Sequence, residues 1–171
     1  MTLRKQRGFK FEYHIVNLLR ERGFKASKSG GNTVGFPDII ATRHYTLLAI
    51  EAKSVAGFHA YIPLDQIQRC FHLLEMFEIY KNKHTIAAFK FMTKITGNSF
   101  RRPIKYYYFC MDEYQHRLTG VNSLKCTYNG ELSFLMVNEK DSFRVKMPQV
   151  TFNKDDIFFD YKWMTQKKLT I

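Results

Sequence analysis

The chain has 171 residues, of which 27 are lysine or arginine and 15 are aspartate or glutamate, so its formal net charge is +12. A hydrophobic fraction of 45% with 16% aromatic residues excludes a disordered basic tail, which would bury too little apolar surface to offset its chain entropy. Positive charge on a folded body predicts a nucleic-acid partner first and an anionic membrane surface second. We expect a single domain over residues 1–171.

Location is indicated by what the sequence lacks. No apolar run reaches the roughly 20 residues that cross a bilayer, and no apolar region of a secretory signal follows the basic residues 1–7. The three cysteines, Cys70, Cys110 and Cys126, lie far apart without a CxxC pair. Their number and spacing argue against a disulfide framework or a structural zinc site. We therefore expect an intracellular, cytoplasmic protein without a membrane partner.

The first predicted element is an amphipathic helix from Phe9 to about Arg22, because apolar residues recur along it at helical spacing. Gly23 stands where a helix-ending glycine belongs. A glycine-rich turn is expected at residues 29–32, among three short strands predicted at residues 24–28, 38–41 and 47–53. In the third strand, side chains alternate between two faces, which places on one side Leu47, Ala49, Glu51 and Lys53.

The remaining elements are one helix and several strands. The helix is predicted from Leu64 to Tyr80, and β-prone apolar stretches follow at residues 85–92 and 105–111. Asn129-Gly130 favours a two-residue turn, so residues 124–128 and 131–137 are predicted to form a hairpin. A terminal helix is expected over residues 155–168. This order of elements predicts an α/β fold with a mixed central β-sheet flanked by helices.

Three acidic residues occupy positions that packing alone does not explain. Glu12 lies in an apolar arc of the first predicted helix, where a carboxylate is costly to bury unless it is paired or binds a metal. Asp38 follows a proline at the start of a strand, and Glu51 points the same way as Lys53 on the next strand. Each alone has an ordinary explanation, as an ion-paired helical glutamate, a turn aspartate or a cross-strand charge pair.

Taken together, these residues favour one active site on a basic chain. Carboxylates from a helix, a strand start and a neighbouring strand can converge and offer oxygen ligands to Mg²⁺ or Mn²⁺. Lys53 beside them would orient or deprotonate an attacking water and neutralise charge developing on a phosphate. The pattern predicts metal-dependent hydrolysis of a phosphodiester.

The same residues carry a resemblance to a known family. The chain resembles the archaeal Holliday junction resolvases in the order of its acidic motifs, which are Glu12, Pro37-Asp38 and Glu51-Ala52-Lys53. It shares with them three further features, namely Gly23-Phe24, the turn Lys28-Ser29-Gly30-Gly31-Asn32 and a strand ending near Lys90. That family belongs to the PD-(D/E)xK, or restriction-endonuclease-like, nucleases, and the resemblance covers about the first 110 residues. It implies a restriction-endonuclease-like core over residues 1–115 and a C-terminal extension over residues 116–171.

The resemblance also implies a role for each matching residue. Asp38 and Glu51 would hold the metal with the backbone carbonyl of Ala52, Glu12 would complete the acidic pocket directly or through water, and Lys53 would be the catalytic lysine. The positions that match DNA-contacting residues of the family are Lys28 and Ser29 in the turn, Lys90 on a strand, and Arg4, Lys5, Arg7 and Lys10 in a basic N-terminal arm. The family's symmetric dimers cut opposed strands of a four-way junction, so we expect a homodimer.

The chain departs from the family pattern at several positions. Tyr13 stands where a basic residue is frequent, Leu73 and Phe77 stand where the second helix often presents two dimer-forming phenylalanines, and residues beyond about Arg117 have no counterpart. The aromatic run at residues 106–109 favours core packing over stacking on unpaired bases.

The function predicted from the sequence is a metal-dependent, structure-selective DNA endonuclease, most simply a Holliday junction resolvase active in recombination and repair. Two alternatives stay open. One is a related viral, mobile-element or restriction-type nuclease or nickase with another DNA target. The other is a DNA-binding protein that keeps the fold without catalysis.

Overall fold

The computed structural model describes residues 3–29, 35–92, 104–117, 122–128, 132–137, 142–145, 149–153 and 157–160, with backbone only at residues 4–5, 116–117, 132–137, 142–145 and 158–160. The elements in these ranges are, in chain order, α1 (Leu3–Glu21), β1 (Lys25–Lys28), β2 (Ile39–Arg43), β3 (Thr46–Val55), β4 (His59–Pro63), α2 (Leu64–Glu75), β5 (Asn82–Phe91), β6 (Lys105–Cys110), a 3₁₀ helix (Asp112–Arg117), β7 (Ser123–Tyr128), β8 (Leu132–Val137), β9 (Ser142–Val145), β10 (Gln149–Phe152) and β11 (Ile157–Asp160).

These strands form two sheets. The larger has seven strands in the order β1-β2-β3-β5-β6-β10-β11, and the smaller has four in the order β4-β7-β8-β9. Neighbours are antiparallel except β3 and β5, which pair in parallel along ten residue pairs. A parallel pair needs a crossover, and here β4 and α2 supply it. The predicted mixed sheet flanked by helices is confirmed.

The two faces of the large sheet are buried under different elements. On one face, α1 packs through Phe11, Ile15 and Leu19 onto residues of β2, β3 and β5 such as Ile39 and Ile50. The other face carries two apolar clusters, one beneath α2 and one between the large sheet, α2 and the small sheet. Because alternate strand residues face opposite ways, each residue's position decides which cluster it joins.

The first helix is longer than predicted and ends as predicted. It begins at Leu3 instead of Phe9, since the basic residues before Phe9 are good helix formers. At its end, the Gly23 N–H donates to the Arg20 carbonyl and the Phe24 N–H to the Leu19 carbonyl, both at 3.0 Å. Gly23 has φ +82°, the left-handed conformation that such a glycine cap requires. In the described part of the chain, no helix is long and apolar enough to cross a membrane.

Three boundaries differ from the prediction. The second helix ends at Glu75 rather than Tyr80. The backbone N–H groups of Met76 and Phe77 donate to carbonyls three residues earlier, and this tightens the last turn. Strand β4 was not predicted, since it pairs with β7, more than 60 residues later in the chain. The terminal helix is wrong at residues 157–160, where β-prone Ile157-Phe158-Phe159 form a strand against β10.

Parts of some predictions lie outside the described residues. They are the glycine-rich turn beyond Ser29, the Asn129-Gly130 turn, and residues 155–156 and 161–168 of the expected helix. The strands on either side of the second turn do pair as a hairpin, with Tyr128 opposite Leu132. The predicted hairpin is confirmed, but this register leaves three residues between the paired ends, so the predicted two-residue connection is wrong.

The C-terminal strands complete the core next to α1. Val150, Phe152 and Ile157 belong to the same buried cluster as Phe11, and the Phe152 ring meets the Tyr108 ring edge-on with centroids 5.3 Å apart. Arg43 ties the same region to α1, because its Nη1 donates to the carbonyls of Arg22 and Asn153, each at 3.0 Å. Residues from both ends of the chain thus share one core.

This shared core generates a stability prediction. Truncating Phe152, which is 4% exposed, should lower the free energy of unfolding by about 3–5 kcal/mol, because a buried cavity replaces the ring. Urea unfolding of Phe152→Ala should remain a single transition. The matched control is Thr151→Ala at the neighbouring exposed position, for which we expect a change within about 0.5 kcal/mol. Equal stability of the two variants would contradict a shared core.

Candidate active site

The pairing of β2 with β3 brings two carboxylates together. Ile39 is paired with Ile50, so Asp38, one residue before β2, lies opposite Glu51. Ile39 and Ile50 face α1, and Asp38 and Glu51 therefore face the α2 side. The Asp38 carboxylate is fixed by the backbone N–H of Ala52, which donates to Oδ2 at 2.9 Å.

Glu51 is a buried acid in an unfavourable electrostatic environment. Only 3% of the residue is exposed, and this burial, with the charge of nearby Asp38, raises its pKa to about 7. Lys53 works in the opposite direction, since its Nζ lies 2.9 Å from Glu51 Oε1. The three residues form one group, which we call the acid–lysine group: Asp38, Glu51 and Lys53.

The acid–lysine group has a buried thiol from α2 on one side and the polar residue Ser29 on another. Behind it, the Cys70 thiol is buried, and burial together with the charges of Glu51 and Asp38 raises its pKa well above the usual value. To one side, the Ser29 N–H donates to the Asp38 carbonyl at 3.0 Å. The Ser29 hydroxyl is buried with no hydrogen-bond partner among the described residues, so a polar atom beside Asp38 still has capacity to bind a ligand.

This donor set fits a hard divalent cation. Two carboxylates held side by side are the oxygen ligands that Mg²⁺ and Mn²⁺ accept. Burial first, and the charge of Asp38 second, raise the pKa of Glu51, and a cation between the carboxylates would offset both effects. The Ser29 hydroxyl, which has no hydrogen-bond partner among the described residues, is consistent with a further ligand at the same place.

Glu12 and Lys28 form a separate pair under the first helix. Lys28 is paired with Ile39, which puts its side chain on the α1 face, where its Nζ contacts Glu12 Oε2. The ammonium also lies 3.7 Å from the centre of the Phe9 ring and 5.2 Å from that of Tyr13. The structure thus brings Asp38, Glu51 and Lys53 together and pairs Glu12 with a lysine. The role of Glu12 in the acidic pocket stays a prediction.

A second basic group lies near the N-terminal half of α1. Lys90 is paired in register with Tyr106, and its Nζ is 5.6 Å from the centre of that ring. Burial and the charge of Lys10 lower the pKa of Lys90. His14 stacks on the same ring at 4.3 Å between centroids, and burial, then the charge of Lys90, lower its pKa. The positive charges of Lys10 and Lys90 repel each other. An anion such as a phosphate bound beside them would offset that repulsion.

His14 was missed in the sequence, and Tyr106 was predicted to pack in the core. His14 follows Lys10 by four residues and so lies on the same helix face, but nothing local showed that Tyr106 would face it. Tyr108 and Phe109 of the same strand are buried, as predicted for a core strand. Tyr106 is only half-buried, because it lies at the margin of the sheet beside α1.

The remaining predicted residues fall on the surface or outside the described side chains. Arg7 and Lys10 are exposed on α1, and residues 4–5 lie in its first turn, so the predicted basic arm is helical. Leu73 is 6% exposed and belongs to the core under α2, whereas Phe77 is 40% exposed. Of these two positions, only Phe77 offers surface to a partner.

An open groove leads away from Asp38 across β1 and β2. Its volume is about 780 Å³, and its lining is mostly basic or hydroxylic, consisting of Arg20, Lys25, Ala26, Ser27, Lys28, Ser29, Phe36, Ile40 and Thr42. Ser29 belongs to both the groove and the surroundings of Asp38. Through Ser29, the groove thus comes next to Asp38.

The buried acid generates a prediction about stability in the absence of metal. The pKa of Glu51 rises from 4.5 to about 7 on folding, so the folded state binds the proton more tightly. The free energy of unfolding must then fall as pH rises through that window. In EDTA above pH 7, Glu51→Gln should be more stable than the unsubstituted protein by about 3 kcal/mol, at 1.36 kcal/mol per pKa unit.

Urea unfolding at two pH values checks this prediction. The gain should vanish near about pH 4, where the carboxyl is protonated in both states. The control is Glu21→Gln at the exposed end of α1, which should change stability little at either pH. A Glu51→Gln variant that is no more stable above pH 7 would contradict the electrostatic cost assigned to this carboxylate.

The chain is similar to one known family and to two curated proteins. Residues 3–105 match the family described as archaeal Holliday junction resolvase (Hjc). A crossover junction endodeoxyribonuclease of Sulfolobus islandicus rod-shaped virus 1 is 34% identical over 76 residues, 43% of this chain and 63% of the relative. The crossover junction endodeoxyribonuclease Hje of Saccharolobus islandicus (strain REY15A) is 36% identical over 69 residues, 39% of this chain and 51% of the relative. The matched segments thus span less than two thirds of either relative.

A solved structure gives a further comparison. Archaeoglobus fulgidus Hjc, a Holliday junction resolvase from an archaeal hyperthermophile, superposes with a TM-score of 0.49 at 20% identity, covering 70% of this chain and 83% of that one. The family match itself extends over residues 3–105, more than half of the chain. The protein therefore belongs to the archaeal Holliday junction resolvase family.

Proposed function

We propose that this protein is a metal-dependent endodeoxyribonuclease that cuts four-way DNA junctions, as a Holliday junction resolvase in recombination and repair. The observation that carries the proposal is the acid–lysine group, in which two adjacent carboxylates and a lysine meet at one end of the sheet. The family assignment supports the substrate, and both curated relatives bear the name crossover junction endodeoxyribonuclease.

Nucleases of this family are typically metal-dependent, and Asp38 and Glu51 would hold the cation, Mg²⁺ or Mn²⁺. The backbone carbonyl of Ala52 and, directly or through water, Glu12 would complete the set. A bound cation would lower the pKa of a water and offset charge on the phosphate oxygens. The Lys28 ion pair supports a role through water for Glu12, because that carboxylate already has a cationic partner.

Lys53 would act on the substrate side of the acids. Its side chain is 28% exposed, and its Nζ is held 2.9 Å from Glu51. The three N–H groups of the ammonium allow one to donate to a phosphate oxygen while another stays on Glu51. In that position the ammonium stabilises negative charge that develops as the phosphodiester is attacked.

The basic residues around this group would bind the DNA backbone. Lys10 and Lys90 lie together on the α1 side, and Arg7 extends the surface along the helix, with Arg4 and Lys5 in the turn before it. Lys28 and Ser29 line the groove, and the Ser29 N–H donates to the Asp38 carbonyl. Contacts of this kind fix the position of DNA without reading its sequence, which suits an enzyme selective for structure.

Three further parts of the proposal concern organisation. We propose one domain over residues 1–171, with its core at 1–115 and an extension at 116–171, and the strands that β7–β11 add to both sheets support this. A homodimer is supported by exposed apolar side chains just after α2, with Met76 77%, Phe77 40% and Ile79 78% exposed. Cytoplasmic location is supported by the free thiols of all three cysteines.

Cleavage of a labelled four-way junction tests the activity. In Mg²⁺, Asp38→Ala and Glu51→Ala should lose cutting while junction binding survives, because the cation ligands are lost and the basic surface is not. Lys53→Ala should lose about 10²–10⁴-fold in turnover with little change in affinity. The exposed Glu21→Ala and Lys81→Ala serve as charge-matched controls and should cut normally. Retained cutting in both acid variants would refute the site.

Mapping the cuts and changing the substrate separates the alternatives. Paired cuts placed symmetrically on opposed strands of the junction are expected from a homodimer. Equal or faster cutting of linear duplex or a flap would instead show a related nuclease with another target. Binding without Mg²⁺-dependent nicking of any of these substrates would show a DNA-binding protein that keeps the fold.

The Lys10–Lys90 pair generates a prediction about binding. In a Glu51→Ala background, Lys90→Ala should weaken junction binding and reduce the slope of log affinity against log salt by about 1, the value for one lost phosphate contact. Lys81→Ala is a matched control, because Lys81 also lies over a tyrosine, 5.5 Å from the Tyr45 ring. If both variants change the slope equally, Lys90 makes no particular contact and only net charge matters.

A further inference from the structure

A second group of titratable side chains lies on the opposite face of the sheet from the acid–lysine group. His84 is near the start of β5, and Cys110 ends β6 opposite Ile86. Continuing that register by two residues sets Asp112 opposite His84. Because strand residues two apart share a face, the side chains of all three point to the α1 side.

The contacts among these residues are short and converge on one carboxylate. Asp112 Oδ2 lies 2.8 Å from His84 Nδ1 and accepts a hydrogen bond from the Cys110 thiol at 3.1 Å. One nitrogen, sulfur or oxygen atom from each residue lies within 4.8 Å of the other two. The other oxygen, Asp112 Oδ1, accepts from the backbone N–H of Thr85 at 2.8 Å. The carboxylate is therefore held in place from the strand side.

We propose that His84, Cys110 and Asp112 bind one zinc ion. Imidazole nitrogen, thiolate sulfur and carboxylate oxygen are the three ligand types that zinc takes in proteins. A thiolate is a poor ligand for Mg²⁺, so the site selects against the cation proposed for the acid–lysine group. The Cys110 thiolate and the Asp112 carboxylate together balance the two positive charges of the ion, and the His84 imidazole adds none. A site without net charge suits a half-buried position.

Burial of the three residues matches an ion with one open coordination position. Cys110 is 5% exposed and packs with the core under α1, whereas the side chains of His84 and Asp112 are 21% and 34% exposed. Solvent thus reaches the group from one side, and a water would complete four-coordination. On binding, the Cys110 sulfur forms a bond to zinc and its proton leaves to solvent, so each ion bound releases one proton from the thiol.

The absence of a CxxC pair argued against zinc in the sequence, because that reasoning considered only ligands close along the chain. Here two ligands come from one strand end at a spacing of two, and the third comes from the strand paired with it. The ion would tie β5 to β6 and to the start of the 3₁₀ helix. The ion would lie on the opposite face of the sheet from the acid–lysine group.

Titration of the metal-free full-length protein with Co²⁺, in excess Mg²⁺, tests the proposal. A thiolate-to-cobalt charge-transfer band should appear, saturate at one Co²⁺ per chain and disappear when Zn²⁺ is added. Cys110→Ser should abolish the band. Cys126→Ser, at another buried free thiol, should keep it. His84→Ala should weaken Co²⁺ binding by at least about tenfold, since even outer partners of a metal site contribute that much.

Two further measurements remove dependence on any one variant. In the unsubstituted protein, Zn²⁺ should raise Tm by an amount that grows with the logarithm of its concentration, and Asp112→Asn, which keeps the side-chain shape, should lose that response. The Asp38→Ala, Glu51→Ala double variant should bind Co²⁺ as the unsubstituted protein does, so the outcome is separate from nuclease activity. Absence of the band in the unsubstituted protein, or its persistence in Cys110→Ser, would overturn the zinc site.

Discussion

The structure depends on holding two carboxylates side by side against an apolar background. Pairing of β2 with β3 fixes Asp38 opposite Glu51. Burial first, and the charge of Asp38 second, raise the pKa of Glu51, so the ionised carboxylate costs stability. Lys53 offsets part of this cost, and the apolar cores on both faces must supply the remaining stability. Under the proposed function, a divalent cation bound between the two carboxylates would offset the same cost directly.

The two faces of the large sheet carry different groups of charged residues. The acids and Lys53 lie on the α2 face, whereas Lys90 and the Glu12–Lys28 pair lie on the α1 face. All of them nonetheless belong to one end of the sheet, because Lys28 is two strands from Ile50 and Lys90 is in register with Ser54. Positive charge thus approaches the carboxylates from the opposite side of the same strands. DNA bound by the basic residues of the α1 face would then place a phosphate near the acid–lysine group of the α2 face, at the ends of the shared strands.

What the sequence could predict was set by local chemistry. The glycine cap after α1, the Pro37-Asp38 strand start and the shared face of Glu51 and Lys53 each follow from neighbouring residues, and all are present. What it could not predict required partners distant along the chain. Strand β4 depends on β7, and the strand at residues 157–160 depends on β10. Lys28 was assigned to phosphate contact, and only the folded sheet shows that Glu12 already holds its ammonium.

The residues beyond the family match are part of the fold rather than an appendage. The match ends at residue 105, which is the first residue of β6, yet Tyr108, Val150 and Phe152 belong to the core under α1. Strand β10 pairs with β6 and β11 pairs with β10, so the backbone of β6 is covered where it would otherwise be an open edge. An open edge invites pairing with another chain. In the proposed homodimer, a second copy would therefore not pair with β6, and the exposed apolar surface after α2 is where we expect the dimer contacts.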